Sequence, residues 1–120
     1  MLDSLKGKAN VFFDVIKQVR AKGFEKNSFF WFADAKMIPE FVKLAPEMKI
    51  KVNASDIEEV KKWQAVCQPS YVEISPENIT KEFMNYCHKN AILVMAAKQN
   101  GNEEAYRKAI QVQPDLVNID

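Results

Sequence analysis

Six short runs of aromatic and β-branched residues are spaced along this chain, and each is typical of a β-strand. Between them lie segments in which apolar residues recur every three or four positions, as Met37, Phe41 and Leu44 do. That spacing is typical of one face of an α-helix. The predicted strands are NVFFDVI at 10–16, SFFWFA at 28–33, KIKVNA at 49–54, YVEIS at 71–75, AILVMAA at 91–97 and LVNID at 116–120.

The alternation of predicted strands and helices indicates an α/β fold in which parallel strands are joined by right-handed crossovers. A chain of 120 residues suffices for one domain of ordinary size, here spanning 1–120. It contains neither GxGxxG nor GxxxxGK[ST], which excludes the usual nucleotide-binding loops. Two architectures remain: an open, doubly wound sheet and part of a closed parallel barrel.

The predicted strand around Lys51 bears on this choice, because Lys49, Lys51 and Asn53 alternate with Ile50 and Val52. A strand inside an open parallel sheet is buried on both faces and is usually apolar throughout. In a closed barrel only the outer face packs on helices, and the inner face becomes polar near the C-terminal mouth. The alternation therefore favours the barrel, with Lys51 and Asn53 facing a binding cavity.

The same period of two places acidic residues on the inner face of two further predicted strands. Glu73 stands between apolar neighbours in YVEIS, and Asp14 stands between apolar neighbours in FFDVI. We expect Asp14, Lys51 and Glu73 to converge, since carboxylates suit a divalent cation and lysine suits a phosphate group. Two alternatives stay open: an internal salt-bridge network without a ligand, or a solvated Lys51 on an open sheet.

Charge and composition narrow the classes of partner. The formal net charge is +1 and the pI is about 7.7, without a basic stripe, so no nucleic-acid partner is expected. No apolar run reaches the roughly 20 residues of a membrane span, and the first residues, MLDSLKGKA, lack the apolar core of a signal peptide. The cellular compartment stays open. Cys67 and Cys87 are expected to be buried thiols, with a disulfide left open.

Three stretches of the chain resemble successive parts of the C-terminal portion of the glycerophosphodiester phosphodiesterase family. LDSLKGKANVFFDV is similar to the family's helix, KGK turn and strand that carries an acidic metal ligand. KNSFFWFADAKMIPEFVKLAPEMKIKV resembles the next unit of the family. NITKEFMNYCHKNAILVMAAKQNGNEEAYRKAIQVQPDLVNID resembles the closing units, which end in PD-x-x-N-x-D. The resemblance extends over nearly the whole chain.

The resemblance implies an incomplete (β/α)8 TIM barrel, in which this chain supplies about six strands, the third through the eighth. It also implies a divalent cation, Ca²⁺ or Mg²⁺, that polarises a phosphodiester, with two histidines as general acid and base. The products would be sn-glycerol 3-phosphate and an alcohol. The family's first two strands, which carry the catalytic histidines and most metal ligands, are absent.

The family pattern assigns roles to individual positions of this sequence. Asp14 stands where the family has a metal-binding glutamate, and Ile16 stands where it has a lysine. Lys51 is hypothesised to supply the missing positive charge. His88 is the only histidine and is expected to lie at a helix end as a surface or capping residue. The chain by itself is therefore expected to be inactive.

Four residues are expected to contact the substrate, which would be a glycerophosphodiester or another phosphate-bearing small molecule. Asn118 alternates with apolar neighbours and is also expected to reach the mouth. The substrate contacts are assigned to Lys51, Glu73, Trp31 and Asn53.

Two other classes of function compete with the hydrolase. A non-catalytic module could retain the barrel strands to bind a phosphate-bearing ligand or to assemble with a partner. A receiver-like, doubly wound signalling domain would also suit this length, although the third predicted strand ends in Asn53 rather than an aspartate. Because an incomplete barrel has unpaired strand edges, we expect homo-oligomers that cover them.

Overall fold

Five helices and five strands alternate in a computed structural model that describes residues 2–97 and 102–119. Short 3-10 helices precede β1, precede α2 and follow β3, at Glu25–Asn27, Ala35–Met37 and Pro76–Asn78. The helices are α1 (Leu2–Ala21), α2 (Ile38–Leu44), α3 (Ile57–Gln64), α4 (Lys81–Lys89) and α5 (Glu103–Gln111). The strands are β1 (Phe29–Phe30), β2 (Lys49–Asn53), β3 (Tyr71–Ile74), β4 (Leu93–Ala96) and β5 (Leu116–Val117).

The strands are all parallel and lie in the sheet in the order of the chain, β1-β2-β3-β4-β5. When every crossover is right-handed and the order never reverses, all helices lie on one face of the sheet. The sheet curls away from that face into half of a barrel. A receiver-like domain requires a strand order that reverses, so that alternative is wrong.

One face of the sheet packs against the helices and forms the core. Its strand residues are fully buried, and Val52, Val72 and Val94 are neighbours in register across β2, β3 and β4. Each fully buried aliphatic side chain stabilises the fold by about 1.5–3 kcal/mol. Ile50, Ile74 and Ala96 extend this layer along the strands, and Ile38, Phe41, Val60, Phe83 and Cys87 cover it from the helices.

The predicted strand at 10–16 is wrong, because these residues belong to α1. Ile16 is 3% exposed and packs in the core together with Val19, and this spacing of three is the period of a helix. Gly23 ends the helix with φ of +67°, as the Phe24 N–H bonds the Val19 carbonyl in the pattern of a helix C-terminus. The predicted count of six strands is thereby reduced to five.

The remaining five predicted strands are confirmed, although β1 and β5 are each only two residues long. An incomplete α/β barrel is therefore the correct fold class. Within the described ranges, no helix combines the length and the apolar character needed to cross a bilayer. No helix of the described part of the chain packs on the second, concave face of the sheet, which holds the residues considered next.

Candidate functional site

The concave face carries the polar residues that alternate with the core layer. Lys51 pairs in register with Tyr71, and Asn53 pairs with Glu73 on the neighbouring strand. Glu73 in turn lies beside Met95 of β4. The core residues of these strands all face the helices. The prediction that the alternating polar residues of β2 and β3 face inward is therefore confirmed.

Lys51 and Glu73 form an ion pair between Nζ and Oε2 on the concave face. Their side chains are only 9% and 10% exposed, so both charges are largely withdrawn from water. Desolvation makes an isolated buried charge costly, and pairing with hydrogen bonds offsets this cost. The sequence correctly predicted that these two residues lie together, and their role in substrate binding stays a prediction.

Asn118 holds the second oxygen of the Glu73 carboxylate. Its Nδ2 donates to Oε1 of Glu73 over 2.8 Å, and its backbone N–H donates to the carbonyl of Ala96. Asn118 directly follows β5, so this contact passes over β4 to reach β3. The alternation of Asn118 with apolar neighbours predicted its position, but its partner, 45 residues away in sequence, carried no local signal.

Trp31 covers the Lys51 ammonium from the side of β1. The Nζ atom lies 5.2 Å from the centroid of the indole ring, within the range of a cation–π interaction. The indole itself is 54% exposed and therefore available to a ligand. A cavity of about 210 Å³ begins here and is lined by Trp31, Phe32, Ala33, Ala35, Ile38, Lys51, Val52, Asn53 and Trp63.

Asn53 lies at the carboxyl end of β2, on the rim of this cavity. Its side chain is exposed, and its carbonyl accepts a hydrogen bond from Nε1 of Trp63 over 2.9 Å. The contact anchors α3 to the strand end, since Trp63 belongs to that helix. Three of the four expected substrate residues, namely Trp31, Lys51 and Asn53, thus line one cavity, with Glu73 behind Lys51.

Asp14 does not occupy the position that its expected metal role requires. It lies in α1 with an exposed side chain instead of standing at a strand end on the concave face. The predicted convergence of Asp14 with Lys51 and Glu73 is therefore wrong, because the helical period governs this segment. The metal role of Asp14 stays a prediction, without the geometry on which it was based.

The donor set of the concave face does not suit a divalent cation. Both oxygens of Glu73 are engaged, one by the Lys51 ammonium and one by the Asn118 amide. A cation would have to displace the Lys51 ammonium or the Asn118 amide to bind this carboxylate. In the described part of the chain, moreover, no three His, Cys, Asp or Glu side chains are grouped as metal ligands.

His88 lies in the last turn of α4, near the amino ends of the strands. Its Nε2 is 2.8 Å from Oδ2 of Asp115, which also accepts the Val94 N–H over 2.7 Å. These contacts lie at the amino ends of β4 and β5, whereas barrel active sites lie beyond the carboxyl ends of the strands. The side chain is 46% exposed, consistent with the expected surface position.

The two cysteines are buried free thiols, as expected. Burial raises the pKa of the Cys67 thiol. It also raises the pKa of Cys87 to about 11, with a further contribution from the negative charge of Asp115. A thiol that stays protonated is a poor nucleophile and a poor metal ligand, so neither cysteine contributes chemistry to the concave face.

Comparison with known proteins finds similarity in the fold alone. No family model and no curated protein sequence matches this chain. A glycerophosphodiester phosphodiesterase from Agrobacterium tumefaciens is similar with a TM-score of 0.71 and 18% identity, over 89% of this chain and 46% of that protein.

Two further solved structures agree with this result. A putative glycerophosphoryl diester phosphodiesterase from Silicibacter pomeroyi gives a TM-score of 0.71 at 14% identity, over 98% of this chain and 42% of that protein. A glycerophosphodiester phosphodiesterase from Parabacteroides distasonis gives 0.63 at 11% identity, over 88% and 44%. The chain thus spans less than half the length of each, which is consistent with a C-terminal portion of their fold.

Proposed function

We propose that this chain forms the C-terminal half-barrel of a phosphodiester hydrolase of the glycerophosphodiester phosphodiesterase type, and that its concave face binds the phosphate group of the substrate. The fold shared with three such enzymes supports this proposal. The observation that carries it is the buried Lys51 ammonium beside a cavity at the carboxyl ends of the strands, where barrel enzymes bind their substrates.

Each residue around the cavity has a distinct part in this proposal. Lys51 contacts a phosphate oxygen as a compact positive charge. Trp31 offers an exposed aromatic face to the organic part of the ligand, and Asn53 offers a polar rim. Glu73 is the ion-pair partner of the lysine when no ligand is bound, and the Asn118 amide donates to its other oxygen.

The hydrolytic step requires groups that this chain does not contribute. The general acid and base of such an enzyme are two histidines. His88 is the only histidine of the sequence, and it lies near the amino ends of the strands, away from the cavity. The concave face also does not fit a divalent cation. We therefore propose that any Ca²⁺- or Mg²⁺-dependent hydrolysis of a glycerophosphodiester belongs to a complete barrel, and that this chain alone is inactive.

A binding or assembly module is the second candidate function. Several apolar residues of the concave face are substantially exposed, among them Phe29 at 45%, Leu93 at 43% and Leu116 at 37%. A closed barrel would bury these side chains in its interior. In this candidate, homo-oligomers cover the open edges, and sedimentation velocity of the purified chain would detect them.

Binding of sn-glycerol 3-phosphate to the chain, measured by calorimetry, tests the phosphate site. Lys51→Met/Glu73→Gln removes the cation without leaving a charged partner buried, and it should abolish binding. Lys62→Met, which removes an exposed lysine on α3, should bind as the wild type does. Equal affinity of the double variant and the wild type would refute a phosphate site at Lys51.

Activity is tested separately by the release of sn-glycerol 3-phosphate from glycerophosphocholine with added Ca²⁺ or Mg²⁺. The chain alone should show no release above the uncatalysed rate, and the product of the complete gene should show metal-dependent release. Absence of release by the complete product would favour the binding module.

A further inference from the structure

The Lys51–Glu73 pair places two largely buried charges on the concave face of the sheet. Lys51 pairs in register with Tyr71, and Glu73 lies between Asn53 and Met95 on the neighbouring strands. A buried ion pair often adds no stability compared with apolar residues of similar size, because both charges must be desolvated. Packing of this face therefore does not account for a lysine and a glutamate here.

The surroundings of Lys51 restrict how an anion can reach its ammonium group. Only 9% of the side chain is exposed, with Glu73 on one side and the indole of Trp31 on another. An anionic ligand that enters the cavity beside Lys51 must therefore compete for Nζ with the groups that already pack on it. Glu73 is the group that has the same sign of charge and the same oxygen acceptors as a phosphate.

We propose that Glu73 is a built-in competitor that occupies the anion position on Lys51 until the phosphate group of a ligand displaces it. Asn118 retains the displaced carboxylate, because its amide donates to Oε1, the oxygen that does not contact Lys51. Glu73 thus lowers the affinity for weak anions and keeps the buried lysine paired when no ligand is bound. This inference rests on the proposed phosphate site.

Titration of the full chain with inorganic phosphate at constant ionic strength, followed by calorimetry, tests the competition. Glu73→Gln keeps the size of the side chain and removes its charge. Phosphate should then bind at least about tenfold more tightly, because the free energy of one charge-assisted hydrogen bond corresponds to such a change in affinity. Glu82→Gln removes an exposed charge from the first turn of α4 and should leave the affinity unchanged. The gain should disappear in Lys51→Met/Glu73→Gln.

The outcomes separate this inference from the function on which it rests. Unchanged or weaker phosphate binding by Glu73→Gln, while the wild type still binds through Lys51, would overturn the competition and leave the phosphate site intact. Absence of binding by both the wild type and Glu73→Gln would overturn both proposals.

A second measurement applies if Glu73→Gln destabilises the fold by leaving Lys51 unpaired. A ligand that binds only the folded state raises its stability with concentration. Phosphate should therefore raise the thermal midpoint of Glu73→Gln progressively and more than that of the wild type, whereas chloride at the same ionic strength should not. Equal effects of the two salts on Glu73→Gln would contradict the inference.

Discussion

The Nδ2 atom of Asn118 donates to Oε1 of Glu73 over 2.8 Å and thereby joins the residue that follows β5 to the middle of β3. The strand between them, β4, contributes the apolar Met95 at this level. Because β5 is only two residues long, this side-chain contact adds to a small number of backbone bonds that hold the last strand. The same contact fixes the carboxylate that faces Lys51.

Asn118→Asp should destabilise the protein by about 1–3 kcal/mol at neutral pH, since it replaces a donor by a second carboxylate beside Glu73. Urea unfolding measures this change. Asn85→Asp, at an exposed position of α4, should change stability by less than about 0.5 kcal/mol. A loss of stability no larger than that of Asn85→Asp would argue against the contact.

A double-mutant cycle should show strong coupling between Lys51 and Glu73. Lys51→Met or Glu73→Leu alone leaves one buried charge without its partner and should cost about 3–5 kcal/mol of unfolding free energy. The double variant should be close to the wild type in stability, because it removes both desolvation costs. Additive losses in urea unfolding would mean that the pair is solvated and does not interact.

Asp115 should matter more for the fold than its histidine partner. Asp115→Ala removes the acceptor of the Val94 N–H as well as the contact to His88, so the Val94 amide should exchange with deuterium about tenfold faster or more. His88→Ala removes only an exposed contact and should leave that exchange nearly unchanged. Equal exchange rates at Val94 in the two variants would contradict this assignment.

Cys87 should be unreactive in the folded protein. Its pKa, raised to about 11 from the ordinary 9.0 by burial and by Asp115, leaves almost no thiolate at pH 8. A thiol reagent should therefore label the cysteines slowly under native conditions and rapidly in denaturant. The folded state holds the Cys87 proton more tightly than the unfolded state does. The protonated thiol therefore makes its full contribution to stability below pH 9, and this contribution is lost as the pH rises towards 11.

The alternation in β2 and β3 was sufficient to predict which residues face the helices and which face the cavity. The period of a strand is two residues, so a local pattern such as KIKVN assigns both faces before any partner strand is known. The pairing of Lys51 with Glu73 was within reach for the same reason, because neighbouring parallel strands place inner residues side by side.

The segment at 10–16 shows where local pattern fails. Its apolar residues satisfy the period of a strand and that of a helix, and only the packing of Ile16 and Val19 against the core decides for the helix. The position predicted for Asp14 was wrong as a result. A short apolar run is ambiguous in this way until its tertiary contacts are known.

The sequence by itself determined the class of fold, the order of the five confirmed strands and helices, and the inner position of Lys51, Asn53 and Glu73, since all of these depend on local periodicity. Only the tertiary structure decided that Asn118 binds Glu73, that Trp31 covers Lys51 and that Asp14 lies on a helix. These relationships depend on how the sheet curls and on which distant segments it brings together, and such contacts leave no periodic signal in the chain.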